Sequence, residues 1–104
     1  MQKTKLLDCT LRDGGFQNNF NWKELFVNDY IKLTNSLSIE FIELGYWKQA
    51  NKSKNKFYNL DLRKIENYKK KSNKKISVMS DFHYSSKNIY DFPTKKDGLI
   101  SLIR

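Results

Sequence analysis

The residues best suited to chemistry lie close together near the N-terminus, between Asp8 and Asp13. This run of six positions contains two carboxylates, a thiol, a hydroxyl and a guanidinium. Two leucines precede the run and Gly14 and Gly15 follow it, which predicts a short buried strand that ends in a sharp turn. Barrels of alternating strands and helices hold their sites at the carboxyl ends of the strands. We therefore interpret residues 6–19 as the segment that carries an active site.

A helix is predicted directly after this segment. Asn21 is expected to be its N-cap, and Glu24, three residues later, completes a capping-box pattern. The helix would continue to about Thr34 and pack one apolar stripe on a sheet. The residues of that stripe are Trp22, Leu25, Phe26, Tyr30 and Leu33.

The rest of the chain continues the alternation of a right-handed parallel β/α fold. The predicted elements are a strand at 38–45, a helix at 60–71, a strand at 76–82, a long loop at 84–97 and a strand at 99–103. Asp81 and His83 end the third strand and would face the same site. A lone histidine, however, is more often a packed or surface residue than a ligand.

The segment LLDCTLRDGG, residues 6–15, resembles the first strand of the DRE-TIM metallolyases, the pyruvate carboxyltransferase-like (HMGL-like) barrel family. The resemblance is strongest with the 4-hydroxy-2-oxovalerate aldolase branch, in which aromatic and asparagine residues follow the motif much as residues 16–20 do. It implies a (β/α)8 TIM barrel that binds Mg, Mn or Zn and makes or breaks carbon–carbon bonds through an enolate. A complete barrel takes about 250 residues. Residues 1–104 are therefore expected to be one partial domain, the N-terminal portion of the barrel with about four strands.

The resemblance also assigns roles to individual residues. Asp13 matches the metal ligand, and Arg12 matches the arginine that stabilises the enolate oxygen. Thr10 would lie beside them as a catalytic residue and hydrogen-bond substrate or metal-bound water. Asp8 would face the same end, bind substrate and orient Arg12. Glu43 matches a glutamate near the catalytic centre of the lyases and synthases. We expect it to position Arg12 through an ion pair, with an ordinary salt bridge or a carboxylate at the mouth of the barrel as the alternatives.

Tyr46 begins the loop after the second strand, which would lie on the catalytic face. We expect its side chain to contact substrate, while the basic residues of this loop either attract an anion or simply keep the loop soluble. Solubility is the preferred explanation for those basic residues.

Two departures from the family pattern limit what the chain can do. The family's other metal ligands are a His-x-His pair on a later strand, and His83 has no partner at that spacing. Phe16 stands where the aldolases have a histidine base and the synthases a glutamine, and phenylalanine can do neither job. Gln17, Tyr46 or a group outside the chain would have to act as the base. We therefore expect this chain alone to be inactive.

The leading interpretation is thus part of a divalent-metal-dependent aldolase that acts on a small 2-oxo or 2-hydroxy acid. One alternative within the family is an acyl-CoA condensing synthase similar to isopropylmalate or homocitrate synthase. Another is a non-catalytic half-barrel that pairs with the missing half or forms a homo-oligomer. A basic nucleic-acid module is the alternative from a different class.

The charge balance by itself does not favour that last alternative. The chain carries a net charge of +9, with 20 Lys and Arg against 11 Asp and Glu. Many of its lysines are at residues 48–75, among Asn and Ser, and no nucleic-acid motif accompanies them. This pattern is typical of a solvated outer face, so nucleic acid is not an expected partner.

Cysteine content and hydropathy predict where the protein works. Cys9 is the single cysteine and cannot form an internal disulfide, which suits a reducing cytoplasm. No apolar run approaches the roughly 18 residues that a membrane span needs. The expected location is the cytoplasm.

Overall fold

The computed structural model describes residues 4–48, 55–80 and 98–104. Within these residues, strands β1 to β4 form one parallel sheet in chain order. The strands are β1 (Leu7–Asp8), β2 (Phe41–Tyr46), β3 (Lys75–Met79) and β4 (Leu102–Ile103). The helices are α1 (Thr10–Gly14), α2 (Glu24–Asn35) and α3 (Leu62–Lys69), and a single 3-10 turn covers Gly15–Gln17. The predicted α/β order with parallel strands is confirmed.

The register of the sheet brings the carboxyl ends of its strands to one edge. Leu7 lies opposite Phe41 in the first pair of strands, and Val78 lies opposite Ile103 in the last pair. The pairing of β3 and β4 extends one residue beyond the strand, because the Arg104 amide donates to the Val78 carbonyl at 2.9 Å. Side chains that follow different strands therefore meet at this edge.

The core is centred on β2. Every residue from Ile42 to Tyr46 is buried, as expected for a parallel strand that is covered on both faces. One of these residues, Glu43, carries a charge and is completely buried. A buried charge is costly unless it is paired and hydrogen-bonded, so the surroundings of Glu43 must supply partners.

The start of α2 differs from the predicted capping box. The helix begins at Glu24 with Lys23 as its N-cap, and no side chain caps it. The Asn21 amide donates to the Asn18 carbonyl at 3.1 Å, within a tight turn. The Glu24 carboxylate instead accepts a hydrogen bond from the Tyr68 hydroxyl at 2.7 Å. Contacts with α3 thus outweigh the local capping pattern.

The buried face of α2 also differs from the predicted stripe. The buried residues are Val27, Tyr30, Ile31 and Thr34, whose spacing fits one helical face equally well. Leu25 is 75% exposed and Leu33 is 60% exposed. The helix therefore has two overlapping apolar stripes, and the sheet covers only one of them.

The later elements lie close to their predicted positions. Helix α3 is shorter than predicted and starts after Asp61, whose carboxylate accepts a hydrogen bond from the Lys64 amide at 2.9 Å. Strand β4 is shorter than the predicted 99–103. The expectations for Asp81, His83 and the loop at 84–97 lie outside the described residues. None of the helices found in the described ranges is long and apolar enough to cross a membrane.

Replacing Gly45 by alanine is expected to lower the free energy of unfolding by about 3 kcal/mol or more. A Cβ atom at this position would lie 2.1 Å from the carbonyl oxygen of Phe57, a backbone atom that cannot rotate away. Gly14→Ala is the matched control, since its Cβ would meet only the Trp22 side chain, at 3.3 Å. We expect the control to change stability by less than about 1 kcal/mol in urea unfolding. Equal losses in the two variants would contradict this account of Gly45.

Candidate functional site

The segment after β1 forms helix rather than an open turn. Strand β1 ends at Asp8, and helix α1 already begins at Thr10. Gly14 and Gly15 both have right-handed helical dihedrals, so the predicted sharp glycine turn is wrong. Gly15 is needed for space, because a Cβ there would lie 2.2 Å from the Phe20 ring. The consequence is that α1 presents Arg12 and Asp13 at the carboxyl edge of the sheet.

Arg12 forms an ion pair with the buried carboxylate of Glu43. Its Nε donates to Glu43 Oε1 at 2.9 Å, and the Arg12 side chain is only 14% exposed. Burial lowers the pKa of Arg12, but the hydrogen bond and the negative charge of Glu43 outweigh burial, so the pKa lies above its usual value. The predicted ion pair is therefore present, and the positioning role of Glu43 stays a prediction.

Two further residues bind the other oxygen of Glu43. Ser77 Oγ donates to Oε2 at 2.7 Å, and Arg104 Nη1 lies 3.5 Å from the same atom. Neither residue was identified from the sequence. Ser77 interrupts the apolar run of β3 and pairs in register with Glu43, and Arg104 directly follows β4. Two features of the sequence could have identified them. Ser77 is a polar residue inside a buried strand, and Arg104 is a charged residue at the end of a strand.

Asp13, the predicted metal ligand, is an exposed carboxylate beside Arg12. Its side chain is 73% exposed, and its Oδ1 accepts from Arg12 Nη1 at 3.3 Å. Oxygen ligands of this kind suit Mg, Mn and Zn. Across residues 4–48, 55–80 and 98–104, however, no three His, Cys, Asp or Glu residues come together as a metal site. The described residues thus supply at most one carboxylate near Arg12, and the metal-ligand role of Asp13 stays a prediction.

Asp8 contacts Tyr30 and Thr10. Asp8 Oδ1 accepts hydrogen bonds from the Tyr30 hydroxyl at 2.6 Å and from the Thr10 amide at 3.0 Å. Burial raises the pKa of Asp8, but the hydrogen bonds from Tyr30 and Thr10 outweigh it, so the pKa lies below its usual value. The expectation that Asp8 orients Arg12 is wrong, because Asp8 instead ties β1 to α2.

Replacing Tyr30 by phenylalanine is expected to lower the free energy of unfolding by about 1–2 kcal/mol at neutral pH. The variant leaves the Asp8 carboxylate without its shortest hydrogen bond. Because the pKa of Asp8 is depressed on folding, this stabilisation is complete above the ordinary pKa of 3.8 and is lost as the pH falls through the lower value in the folded protein. The difference between wild type and variant in urea unfolding should therefore shrink below that pH.

Tyr68→Phe is the matched control for this measurement. It also removes a hydroxyl that donates to a carboxylate, Glu24, but that carboxylate is about half exposed and is paired with Lys56 as well. Burial raises the pKa of Tyr68 to about 12, so this hydroxyl stays protonated throughout the titration. A loss in Tyr68→Phe as large as that in Tyr30→Phe would contradict the assignment of Asp8 as the more stabilising partner.

Tyr46 lies in an aromatic cluster next to Arg12. Its ring contacts Phe16 and Phe20 edge to face, with centroid distances of 5.9 and 5.7 Å, and contacts Tyr58 at 4.9 Å. The side chain is only 6% exposed, whereas Phe16 is 54% exposed. Of this cluster, Phe16 therefore offers the larger accessible apolar surface beside the predicted site, and the predicted substrate contact of Tyr46 remains a prediction.

Comparison with protein-family models and with curated proteins finds no match. Among solved structures, the chain is similar to the N-terminal domain of a putative aldolase from Bacteroides vulgatus, with 30% identity and a TM-score of 0.83. The similarity covers 96% of this chain and 34% of that chain, so the present chain spans about a third of its length. The chain is thus a small parallel α/β domain with the fold of an aldolase-like N-terminal domain.

Proposed function

We propose that this chain supplies the N-terminal part of the active site of a lyase similar to 4-hydroxy-2-oxovalerate aldolase. The enzyme would cleave or form a carbon–carbon bond in a small 2-oxo acid. The observation that carries the proposal is the ion pair between Arg12 and the fully buried Glu43 at the carboxyl edge of the sheet. The similarity to an aldolase domain supports the same reaction class.

The reaction requires a group that stabilises negative charge on oxygen. In the cleavage direction, a base removes the proton of the 4-hydroxyl and the bond between C3 and C4 breaks. The electron pair moves onto C3 and the C2 oxygen as an enolate, and an aldehyde leaves. Protonation of C3 then yields pyruvate or a related 2-oxo acid. A fixed cation beside the C2 oxygen lowers the barrier because charge develops there.

Arg12 has the properties that this role needs. Its Nε is held by Glu43 and its side chain is largely buried, so the guanidinium is fixed before substrate arrives. Fixed donors in a partly dry site cost little reorganisation during the reaction. Glu43 would act as a positioning residue, since it is completely buried and acts through Arg12.

The proposal includes a divalent metal for which Asp13 would be one ligand. When bound, such a metal polarises the oxygens of a 2-oxo acid. Asp13 is exposed and lies next to Arg12. A metal held by Asp13 and the guanidinium of Arg12 would therefore both lie close to the same substrate oxygens. The remaining ligands would come from residues outside the described ranges or from further polypeptide.

The base is the part of the mechanism to which the described residues contribute least. Phe16, at the expected position of the base, has no group that can take a proton. Its exposed ring, packed against Phe20 and Tyr46, would instead exclude water from the reacting carbon atoms.

The proposal extends to the fold of the complete enzyme. Among the described strands, β1 and β4 each have one neighbour, and an open strand edge normally has to be covered. Leu25 and Leu33 of α2 belong to the apolar stripe that the sheet leaves uncovered. Further β/α units, closing a (β/α)8 barrel, would cover both, and the similar aldolase chain is long enough to contain them.

The test uses the full-length protein, meaning residues 1–104 together with the polypeptide that supplies the rest of the proposed barrel. It is assayed with 4-hydroxy-2-oxovalerate and Mg, Mn or Zn, and pyruvate is measured by a coupled lactate dehydrogenase reaction. We expect pyruvate to form. Arg12→Gln should reduce the rate of its formation strongly. Arg63→Gln is the control and should leave the rate unchanged, because Arg63 is exposed on α3. Release of free CoA from acetyl-CoA and a 2-oxo acid would favour the condensing synthase instead. Absence of both reactions, and of any binding of 2-oxo acids, would overturn the proposal.

A further inference from the structure

We propose that Arg104 binds the carboxylate of the substrate, so that the site selects 2-oxo acids in their anionic form over neutral carbonyl compounds. This inference rests on the proposed function, and it gives a role to a residue that the sequence did not single out. Arg12 would face the oxygen on which charge develops, and Arg104 would hold the group that stays charged throughout.

The position of Arg104 is fixed by the backbone of the sheet. Its amide donates to the Val78 carbonyl at 2.9 Å, and its carbonyl accepts from the Ser80 amide at 2.8 Å. Arg104 therefore continues the pairing of β4 with β3 and stands at the same carboxyl edge as Arg12. A side chain on a fixed strand end is well placed for binding, because little backbone entropy is lost when the ligand arrives.

Arg12 and Arg104 approach the same carboxylate from different oxygens. Arg12 Nε binds Glu43 Oε1, whereas Arg104 Nη1 and Ser77 Oγ approach Oε2. The two guanidinium groups are thus separated by a single carboxylate group. A small 2-oxo acid has its keto oxygen and its carboxylate on adjacent carbon atoms, so two closely spaced cations match its shape.

The contact of Arg104 with Glu43 is weaker than that of Arg12. The distance is 3.5 Å rather than 2.9 Å, and the Arg104 side chain is 43% exposed against 14% for Arg12. Arg12 already neutralises Glu43 at close range, so the charge of Arg104 is not needed for that purpose. A guanidinium has five N–H donors in a planar fork, and the contact with Glu43 uses only one nitrogen of Arg104.

The chemistry of the exposed donors indicates the kind of group they bind. A planar guanidinium pairs with a carboxylate through two parallel hydrogen bonds, which a neutral ester or ketone cannot match. Arg104 is partly exposed at the carboxyl edge of the sheet, where the proposed substrate would lie. The ligand class that fits is therefore a carboxylate.

The experiment compares pyruvate with methyl pyruvate, which keeps the keto group and lacks the charge. Dissociation constants for the full-length protein with Mg are measured by ligand-observed NMR for wild type, Arg104→Gln and Arg63→Gln. We expect Arg104→Gln to weaken pyruvate binding about tenfold to hundredfold and to leave methyl pyruvate binding within about twofold. Arg63→Gln should alter neither, since Arg63 is exposed on α3.

Each other outcome has a definite meaning. If wild type binds pyruvate and Arg104→Gln binds it equally well, or weakens both ligands alike, the inference is wrong and the proposed function stands. If wild type binds neither ligand, the inference is wrong, and the proposed function then depends on the cleavage assay. Circular dichroism establishes that each variant is folded. If Arg104→Gln does not fold, Arg104→Lys is measured instead. We expect this variant to bind pyruvate about threefold or more weakly and methyl pyruvate with unchanged affinity. Unchanged affinity for pyruvate would contradict the inference.

Discussion

Replacing Arg12 by methionine is expected to lower the free energy of unfolding by about 3 kcal/mol, the lower part of the range for breaking a buried ion pair. The loss follows from Glu43, which is completely buried and would lose its closest cationic partner. Ser77 and Arg104 remain in contact with the other carboxylate oxygen, so the loss should not reach the upper part of that range. Urea unfolding followed by circular dichroism measures the change.

Two further variants distinguish the loss of an ion pair from a general loss of packing. Arg63→Met removes an arginine from the exposed face of α3 and should change stability by less than about 0.5 kcal/mol. The double variant Arg12→Met/Glu43→Gln leaves no buried charge, so it should be more stable than Arg12→Met alone. If the double variant is instead less stable by the sum of its single changes, the side chains of Arg12 and Glu43 act independently and the ion pair contributes little.

The sequence predicts the sheet well because strand order and burial both leave local patterns. The near-continuous apolar run around Ile42 and Leu44 indicates a parallel strand covered on both faces, and the structure has one there. Glu43 stands out in this run as a charge that needs a partner. The resemblance of the motif to a known family added the identity of that partner.

What the sequence does not predict depends on contacts between distant residues. Two apolar stripes on α2 are equally periodic, and only the packing of Val27 and Ile31 on the sheet decides which is buried. Asp8 was expected to face Arg12, but its carboxylate accepts a hydrogen bond from Tyr30, which lies 22 positions later in the chain. Gly15 suggests a turn by its type, whereas the structure needs its small size beside Phe20. Arg104 has no motif around it, and its place at the site depends on the register of β4.

Replacing Glu43 by glutamine is expected to lower the kcat of carbon–carbon cleavage about 10²-fold in the full-length protein. The side chain keeps its size, but it loses its charge and one of its two acceptor oxygens. If the amide oxygen stays with Arg12 Nε, the amide NH2 faces Arg104 Nη1, which is also a donor. If the amide turns over, Arg12 loses its acceptor. In both orientations one guanidinium moves away from its position in the wild-type protein.

The kinetic parameters separate a positioning role from a purely structural one. If Glu43→Gln displaces Arg12, kcat and kcat/KM should fall together with little change in KM, whereas displacement of Arg104 would raise KM. Ser77→Ala is the informative companion variant, because it removes one hydrogen bond to Glu43 and leaves the pair with Arg12 in place. Its loss of kcat should be clearly smaller than that of Glu43→Gln. A Glu43→Gln protein that is less stable but turns over substrate at the wild-type rate would contradict the positioning role. The buried carboxylate would then stabilise the fold alone. Arg12 would have to be oriented by Asp13, its other carboxylate partner.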